Sequence, residues 1–413
     1  MSFSEWREVK VSEIGKIVTG KTPKTAISEN YGGNIPFLTP SDDMNIKKVK
    51  STARTLSEMG LNSVKNCLLP AKSICVSCIG SVLGKVVLTS EPTVTNQQIN
   101  SIVPDEKFDP DFIYYGMTIL GKHLNYLSKT STAVPIINKT TFSNFSIIVP
   151  TIEEQKAIAH ILSTLDDKIE VNNQINKTLE NMAQAIFKQW FVDFEFPNEN
   201  GEPYKSSGGE MVESELGTIP KGWEVVQFRD IFRFVKGKKP KTIAECEFKD
   251  SEKYLTIDVL NRNSVLFCSK EKVIEANSED VLMVMDGASS GAVYFGQKGV
   301  VASTLAKLEL ISQKVSNQFL FYAIKYFEND IKTHTTGSAI PHTDKEYTYR
   351  LMIALPNDIS LQTKIDDLLC DISDTFIARE QENAVLKATR DTLLPKLMSG
   401  EIRVPLDQDG YAS

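Results

Sequence analysis

Cysteine is scarce in this chain. Six in 413 residues, Cys67, Cys75, Cys78, Cys246, Cys268 and Cys370, show no framework spacing, which excludes a disulfide scaffold and implies reduced thiols. Cys75-Val-Ser-Cys78 has CxxC spacing, but no second CxxC or HxxxH completes a tetrahedral zinc site. The run SICVSCIG alternates like a strand, so two buried strand cysteines are expected there. Histidine is scarcer still: His123, His160, His334 and His342 show no ligand spacing. No apolar run approaches the ~18 residues of a membrane span. The start, MSFSEWREVK, lacks a charged-then-apolar signal pattern, and the expected compartment is the cytoplasm.

Catalytic equipment is also missing. GSVLGKV falls one residue short of a Walker A loop and has Val where Ser or Thr would bind magnesium. Glu247-Phe-Lys249 lacks the preceding Pro-Asp of a nuclease, and there is no nucleophile elbow. Basic charge is in deficit overall, with a net of −7, which taken whole counts against nucleic acid. The deficit is local. Residues 1–150 carry +4 and residues 223–356 carry +1, whereas 151–196, 197–222 and 357–413 carry −4, −3 and −5. A modest electrostatic footprint for DNA is therefore confined to two segments.

What the sequence does have is repetition. WREVKVSEIGKIVTGKTPKT from Trp6 aligns without a gap to WEVVQFRDIFRFVKGKKPKT from Trp223, with nine of twenty positions identical at an offset of 217. At 207, Gly80-Ser-Val-Leu-Gly84 falls on Gly287-Ala-Ser-Ser-Gly291, and Phe112-Ile-Tyr-Tyr115 on Phe319-Leu-Phe-Tyr322. At 206, Ala133-Val-Pro135 falls on Ala339-Ile-Pro341. A tandem duplication explains this order. Each half opens with short β-branched and aromatic runs such as GKVVLTSEPTV or AVYFGQKGVVAS, plus one helical stretch. Each then closes on a long helical segment that begins after Pro150 or Pro356. The expected divisions are a first domain at 1–150, a helix at 151–196, a linker at 197–222, a second domain at 223–356, a helix at 357–403 and a tail at 404–413.

The first helical segment places Ile158, Leu162, Leu165, Ile169, Asn172, Asn176, Leu179, Ala183, Ile186 and Trp190 on alternating steps of four and three. Adding 207 gives Ile365, Leu369, Ile372, Phe376, Arg379, Asn383, Leu386, Arg390, Leu393 and Leu397. Such a period marks a coiled-coil seam. Its polar middle, Asn172, Asn176, Arg379 and Asn383, is either a buried layer that fixes register or a solvated gap.

These features together resemble the specificity subunit of a type I restriction–modification system, over nearly the whole chain. The motifs are IPKGWEVVQFRDI before the second domain, FKQWFVDFEFP closing the first helix and LLPKLMSGEIRV closing the second. The resemblance implies an α+β fold: two homologous α/β target-recognition domains separated by two long antiparallel coiled-coil helices, in a pseudo-twofold tandem repeat. It implies that each domain reads one half of a bipartite double-stranded DNA site. The helices would set the spacer and dock two modification (methyltransferase) subunits, with restriction subunits joining the full complex. S-adenosylmethionine, ATP and magnesium would sit on those partners, and this chain would be non-catalytic with no cofactor or metal of its own. The sequence agrees in lacking the Asn/Asp-Pro-Pro-Tyr/Phe loop and glycine-rich cofactor strand of an adenine methyltransferase. An autonomous enzyme with cryptic motifs and a pure protein scaffold are the competing classes.

The residues expected at DNA begin with the repeated basic turns: Lys21, Thr22 and Lys24, and Lys238, Lys239 and Lys241. Lysines on a tight Gly/Pro turn reach phosphate oxygens without reading bases. The glycine-flanked turns add Ser81, Lys85, Ser289 and Ser290. Asn96, Gln97 and Gln98 offer amides suited to adenine; their counterpart is Ser303-Thr304-Leu305, a departure from equal roles. Lys129, Thr130 and Thr132, then Thr336 and Ser338, lie on polar runs before the matched prolines, and Asn138 and His342 follow in exposed-looking positions.

Overall fold

A computed structural model describes residues 6–80, 82–130, 136–261, 264–337 and 340–405, with the side chains of 127–130 and 359 outside that description. Two compact units emerge, Met1–Val171 with Asn383–Ser413, and Asn172–Glu382, so each contains one head and part of both long helices.

In the first unit a five-stranded sheet runs in the order Gly15–Thr19, Ile99–Pro104, Ile74–Ser77, Val86–Thr89, Lys48–Val49. The run SICVSC forms its fully buried third strand, and Cys75 and Cys78 are both core residues. Burial pushes the Cys75 thiol up to about 12, against a bond from Ser101 that lowers it. Helix Pro110–Thr130 lays Phe112, Tyr115 and Met117 on the sheet. Proline suits its first position, where no N–H is needed, and Asp109 accepts from Phe112 N at 2.9 Å. A smaller sheet, Thr55–Leu56, Tyr31–Leu38, Thr93–Thr95, Leu68–Leu69, builds a second, satellite core.

The second unit repeats this plan in the same register. Its sheet runs Phe232–Lys236, Leu305–Leu310, Val281–Val284, Val293–Tyr294. Ile102 faces both Ile17 and Ile74 in the first head; Leu308 faces Phe234 and Val281 in the second. Residues 197–222, expected as a linker, contain a hairpin, Met211–Ser214 with Gly217–Pro220, whose Ile219 is buried in the core of the second head. Gly217, at φ +87°, supplies the left-handed turn residue that closes it.

The long helices are Ile152–Phe191 and Ile359–Ser399. Both start on the same device, a first-turn glutamine that donates back to the preceding proline carbonyl: Gln155 to Pro150 at 3.0 Å and Gln362 to Pro356 at 2.8 Å. Within the first unit, Ile158 and Leu162 share a core with Leu394, Leu397 and Met398. Within the second, Ala183 and Phe187 share one with Ile365, Leu369 and Ile372. The polar middle is buried, not solvated. Asn172 is 0% exposed and Asn176 4%. Asn172 donates to Glu382 at 2.8 Å and accepts from Arg379 at 3.2 Å, and Asn176 donates to Glu380 at 3.0 Å.

The helix-closing motifs complete the heads. Phe191, Phe194 and Phe196 surround Trp223 with ring centroids 5.1–5.5 Å away. Arg403, just beyond the second long helix, lies 4.9 Å over the Trp6 ring and binds Glu154 at 2.9 Å, tying that segment to the first head. Among the described residues, no helix is long and apolar enough to cross a membrane, and no group of His, Cys, Asp or Glu is placed to hold a metal.

Candidate nucleic-acid interface

Four segments far apart in sequence meet at one end of the main sheet in each head. In the first head the turn at 20–24 hangs on Gly20 N donating to Ile99 O and Lys21 N to Thr95 O. Thr22 Oγ1 donates to Gln97 Oε1 at 2.7 Å. Cys78 N donates to Gln98 O and Ile137 N to Cys78 O, bringing in the segment after 135. In the second head Gly237 N donates to Leu305 O, Met285 and Asp286 N both donate to Thr304 O, and Gly287 N donates to Pro341 O. A Cβ on Gly20 would lie 2.2 Å from Asn96 O, and one on Gly237 2.1 Å from Ala302 O. The glycine of each basic turn is therefore demanded by close backbone approach, which explains its recurrence.

Side-chain placement sorts the expected residues. Lys21, Lys24, Lys238 and Lys239 are exposed and form no side-chain ion pair among the described residues. Lys241 is exposed but bound to Glu271 at 2.5 Å, so its charge is partly neutralised. Gln97 is exposed; Thr22, Lys85, Gln98, Ser289, Ser303 and Thr304 are half-buried, with Lys85 hydrogen-bonded to Asn45. Thr336 and His342 are exposed on the hairpin Thr335–Thr336 with His342–Thr343.

Two residues expected at DNA are corrections. Asn96 is buried, and its amide is spent on Gln98, donating to Oε1 at 3.0 Å and accepting from N at 3.1 Å; it caps a strand end. Ser290 is buried and donates to Gly287 O at 2.7 Å and Pro341 O at 2.9 Å, fixing the turn. Asn138 is exposed, and its side chain caps helix Lys139–Ser143. Ser81, Thr132 and Ser338 lie outside the described residues, as do the side chains of Lys129 and Thr130.

The geometry adds Asp286 and Lys236, which sequence reading missed. Asp286 accepts from His342 Nδ1 at 2.7 Å and from Lys236 Nζ at 3.2 Å. Burial alone would raise the Asp286 carboxyl, but these two partners outweigh it and hold it below the usual range. Asp286 abuts the turn at Gly287 and Lys236 the turn at Gly237, and that adjacency was the available signal.

A duplicated chain whose two mixed helix–sheet heads each gather basic and polar turns at one sheet end, each head followed by a long helix, belongs to the class of tandem recognition proteins. A family model described as the type I restriction modification DNA specificity domain matches twice, over residues 3–181 and 220–388. The type I restriction enzyme MjaIX specificity subunit of Methanocaldococcus jannaschii is 27% identical over 417 residues, covering 97% of this chain and 94% of that protein. The HindI specificity subunit of Haemophilus influenzae is 38% identical over 188 residues, 44% of this chain and 40% of that one. Among solved structures, the S subunit of a type I restriction–modification system from M. genitalium shares the fold, with a TM-score of 0.56 and 17% identity over 95% and 96% of the two chains. The chain belongs to the family of type I restriction–modification specificity subunits, with a DNA specificity domain in each half.

Proposed function

We propose that this chain is the DNA-reading subunit of a type I restriction–modification complex, each head reading one half of a bipartite site. The observation that carries this is the repeated convergence: the same four segments meet in both heads around a basic turn. Exposed lysines on rigid turns suit phosphate contacts, which set position, while neighbouring polar side chains suit base edges. The two long helices act as an antiparallel coiled coil that sets the spacer and docks two modification subunits. Facing cores and a buried polar layer support that pairing. Methylation, with S-adenosylmethionine, and restriction, with ATP and magnesium, reside on partner subunits, and this chain is non-catalytic. The test is selection from random duplexes with the complex reconstituted from this chain and its modification subunit. Two fixed sequence blocks at constant spacing are expected; a single block, or none, would refute the reading.

A further inference from the structure

One backbone bridge recurs at the reading end of both heads while its side chains change. In the first head the isolated antiparallel bridge joins Ile79 and Ile136; in the second it joins Asp286 and His342. The offsets, 207 and 206, are those of the surrounding repeat. The hydrogen bonds around the bridge match as well. Ile137 N donates to Cys78 O at 3.0 Å and Thr343 N to Met285 O at 2.9 Å, while Cys78 N and Met285 N donate to Gln98 O and Thr304 O, each at 2.8 Å. A frame reproduced this closely, carrying an apolar pair in one head and a hydrogen-bonded carboxylate–imidazole pair in the other, separates the holding of a position from its chemistry.

The chemistry on offer is specific. Ile136 is 66% exposed beside the sheet end. The His342 ring is about half exposed, and among the described residues only its Nδ1 is engaged, 2.7 Å from the Asp286 carboxylate. An ionised carboxylate can only accept, so Nδ1 carries the hydrogen, which leaves Nε2 as the ring atom that can accept. Asp286 cannot swing away easily. Its own N–H is bonded to Thr304 O, and the next residue, Gly287, sits at φ +108° with its N–H on Pro341 O.

We propose that this bridge position reads one base pair in each half-site, Ile136 by contact with a thymine methyl and His342 by accepting from an exocyclic amine of adenine or cytosine, with Asp286 as the positioning residue. The inference rests on the DNA-reading function proposed above. Base edges in the major groove present these features, a methyl on thymine and an amine donor on adenine or cytosine.

The test is random-duplex selection with the full chain in its modification complex, comparing wild type with Ile136→Ala, His342→Ala, Asp286→Asn and Asp286→Glu. Ile136→Ala should reduce a thymine preference roughly tenfold at one position of one half-site. His342→Ala should do the same to an amine-bearing base in the other. Asp286→Asn can donate to Nδ1 and move the ring hydrogen to Nε2, so guanine or thymine, with acceptor edges, should gain at that position. Asp286→Glu, which still accepts, should restore the amine preference. A purely structural role would weaken binding without exchanging the base, and the half-site of the untouched head reports that the complex is folded. If both half-sites are selected and no variant changes a base preference, the inference fails; if wild type selects no bipartite site, the proposed function fails instead.

Discussion

Arg390 of the second long helix donates from Nη1 to Asp166 of the first at 2.6 Å, in a site that leaves their side chains 26% and 10% exposed. Tyr115 of the first head donates to the second oxygen of the same carboxylate at 2.5 Å. Burial pulls the guanidinium down, but Asp166 more than offsets this and holds Arg390 above its ordinary range. Head and both helices are thereby joined through one carboxylate.

Removing one member of a buried pair leaves the other unpaired, at a cost of about 3–5 kcal/mol. Arg390→Ala is expected to lose stability of that order in equilibrium denaturation. Replacing Asp166 and Arg390 together by leucine should cost less than Arg390→Ala alone. A double variant that is the less stable of the two would show that the pair contributes more than mutual neutralisation.

Thiol labelling checks the strand cysteines. The thiolate is the reactive form, and burial lifts Cys75 to about 12 and Cys268 to about 11. With folded-state values above the free range, both thiols stay protonated at pH 8 and react only as pH rises through those values or as the chain unfolds. Cys246 is exposed. Mass spectrometry after brief alkylation should find Cys246 modified and Cys75 untouched.

The lysines of the basic turns should govern the salt dependence of DNA binding. Each phosphate neutralised by a lysine steepens the slope of log K against log salt by roughly 0.9. Lys21→Ala with Lys24→Ala, or Lys238→Ala with Lys239→Ala, should therefore weaken binding across sequences and flatten the slope by about 1.8. Lys241→Ala should change it less, because Glu271 already competes for that ammonium. An unchanged slope in the double variants would leave these lysines as solvated turns.

The repeat, the basic turns and the long helices were legible because they are written locally, in identical residues, glycine–proline punctuation and a 4–3 apolar period. Other features exist only through the fold. Asp286 and His342 are 56 positions apart, and nothing local pairs them. The polar middle of the seam was visible, but its fate was not, since Asn172 and Asn176 donate to Glu382 and Glu380, which occupy no seam position. Asn96 misled for a related reason: an amide beside glutamines suits a base edge, yet strand-end geometry turned it inward.

That polar layer gives a further test. Asn172→Ala would leave Arg379 and Glu382 without their shared amide partner, and removing a buried partner costs about 1–3 kcal/mol. Thermal unfolding should register the drop, whereas Lys177→Ala, on an exposed face of the same helix, should change little. Equal effects would mean the layer is not selectively important.

The paired helices should also act as a ruler. Asn176 meets Glu380 and Asn172 meets Glu382, so the two helices run in opposite directions through this layer. Inserting four residues after Gln174 and four after Glu380 adds close to one 3.6-residue turn to each helix, which re-faces the seam with little twist. Each helix grows by about 6 Å at 1.5 Å per residue. Since B-DNA advances ~3.4 Å per base pair, the selected spacer should lengthen by one or two base pairs while both half-sites keep their sequences. Inserting in one helix alone shifts its partners out of register, and should reduce stability before it changes the spacer. If the matched insertions leave the spacer unchanged in a complex that still selects both half-sites, the helices do not set it.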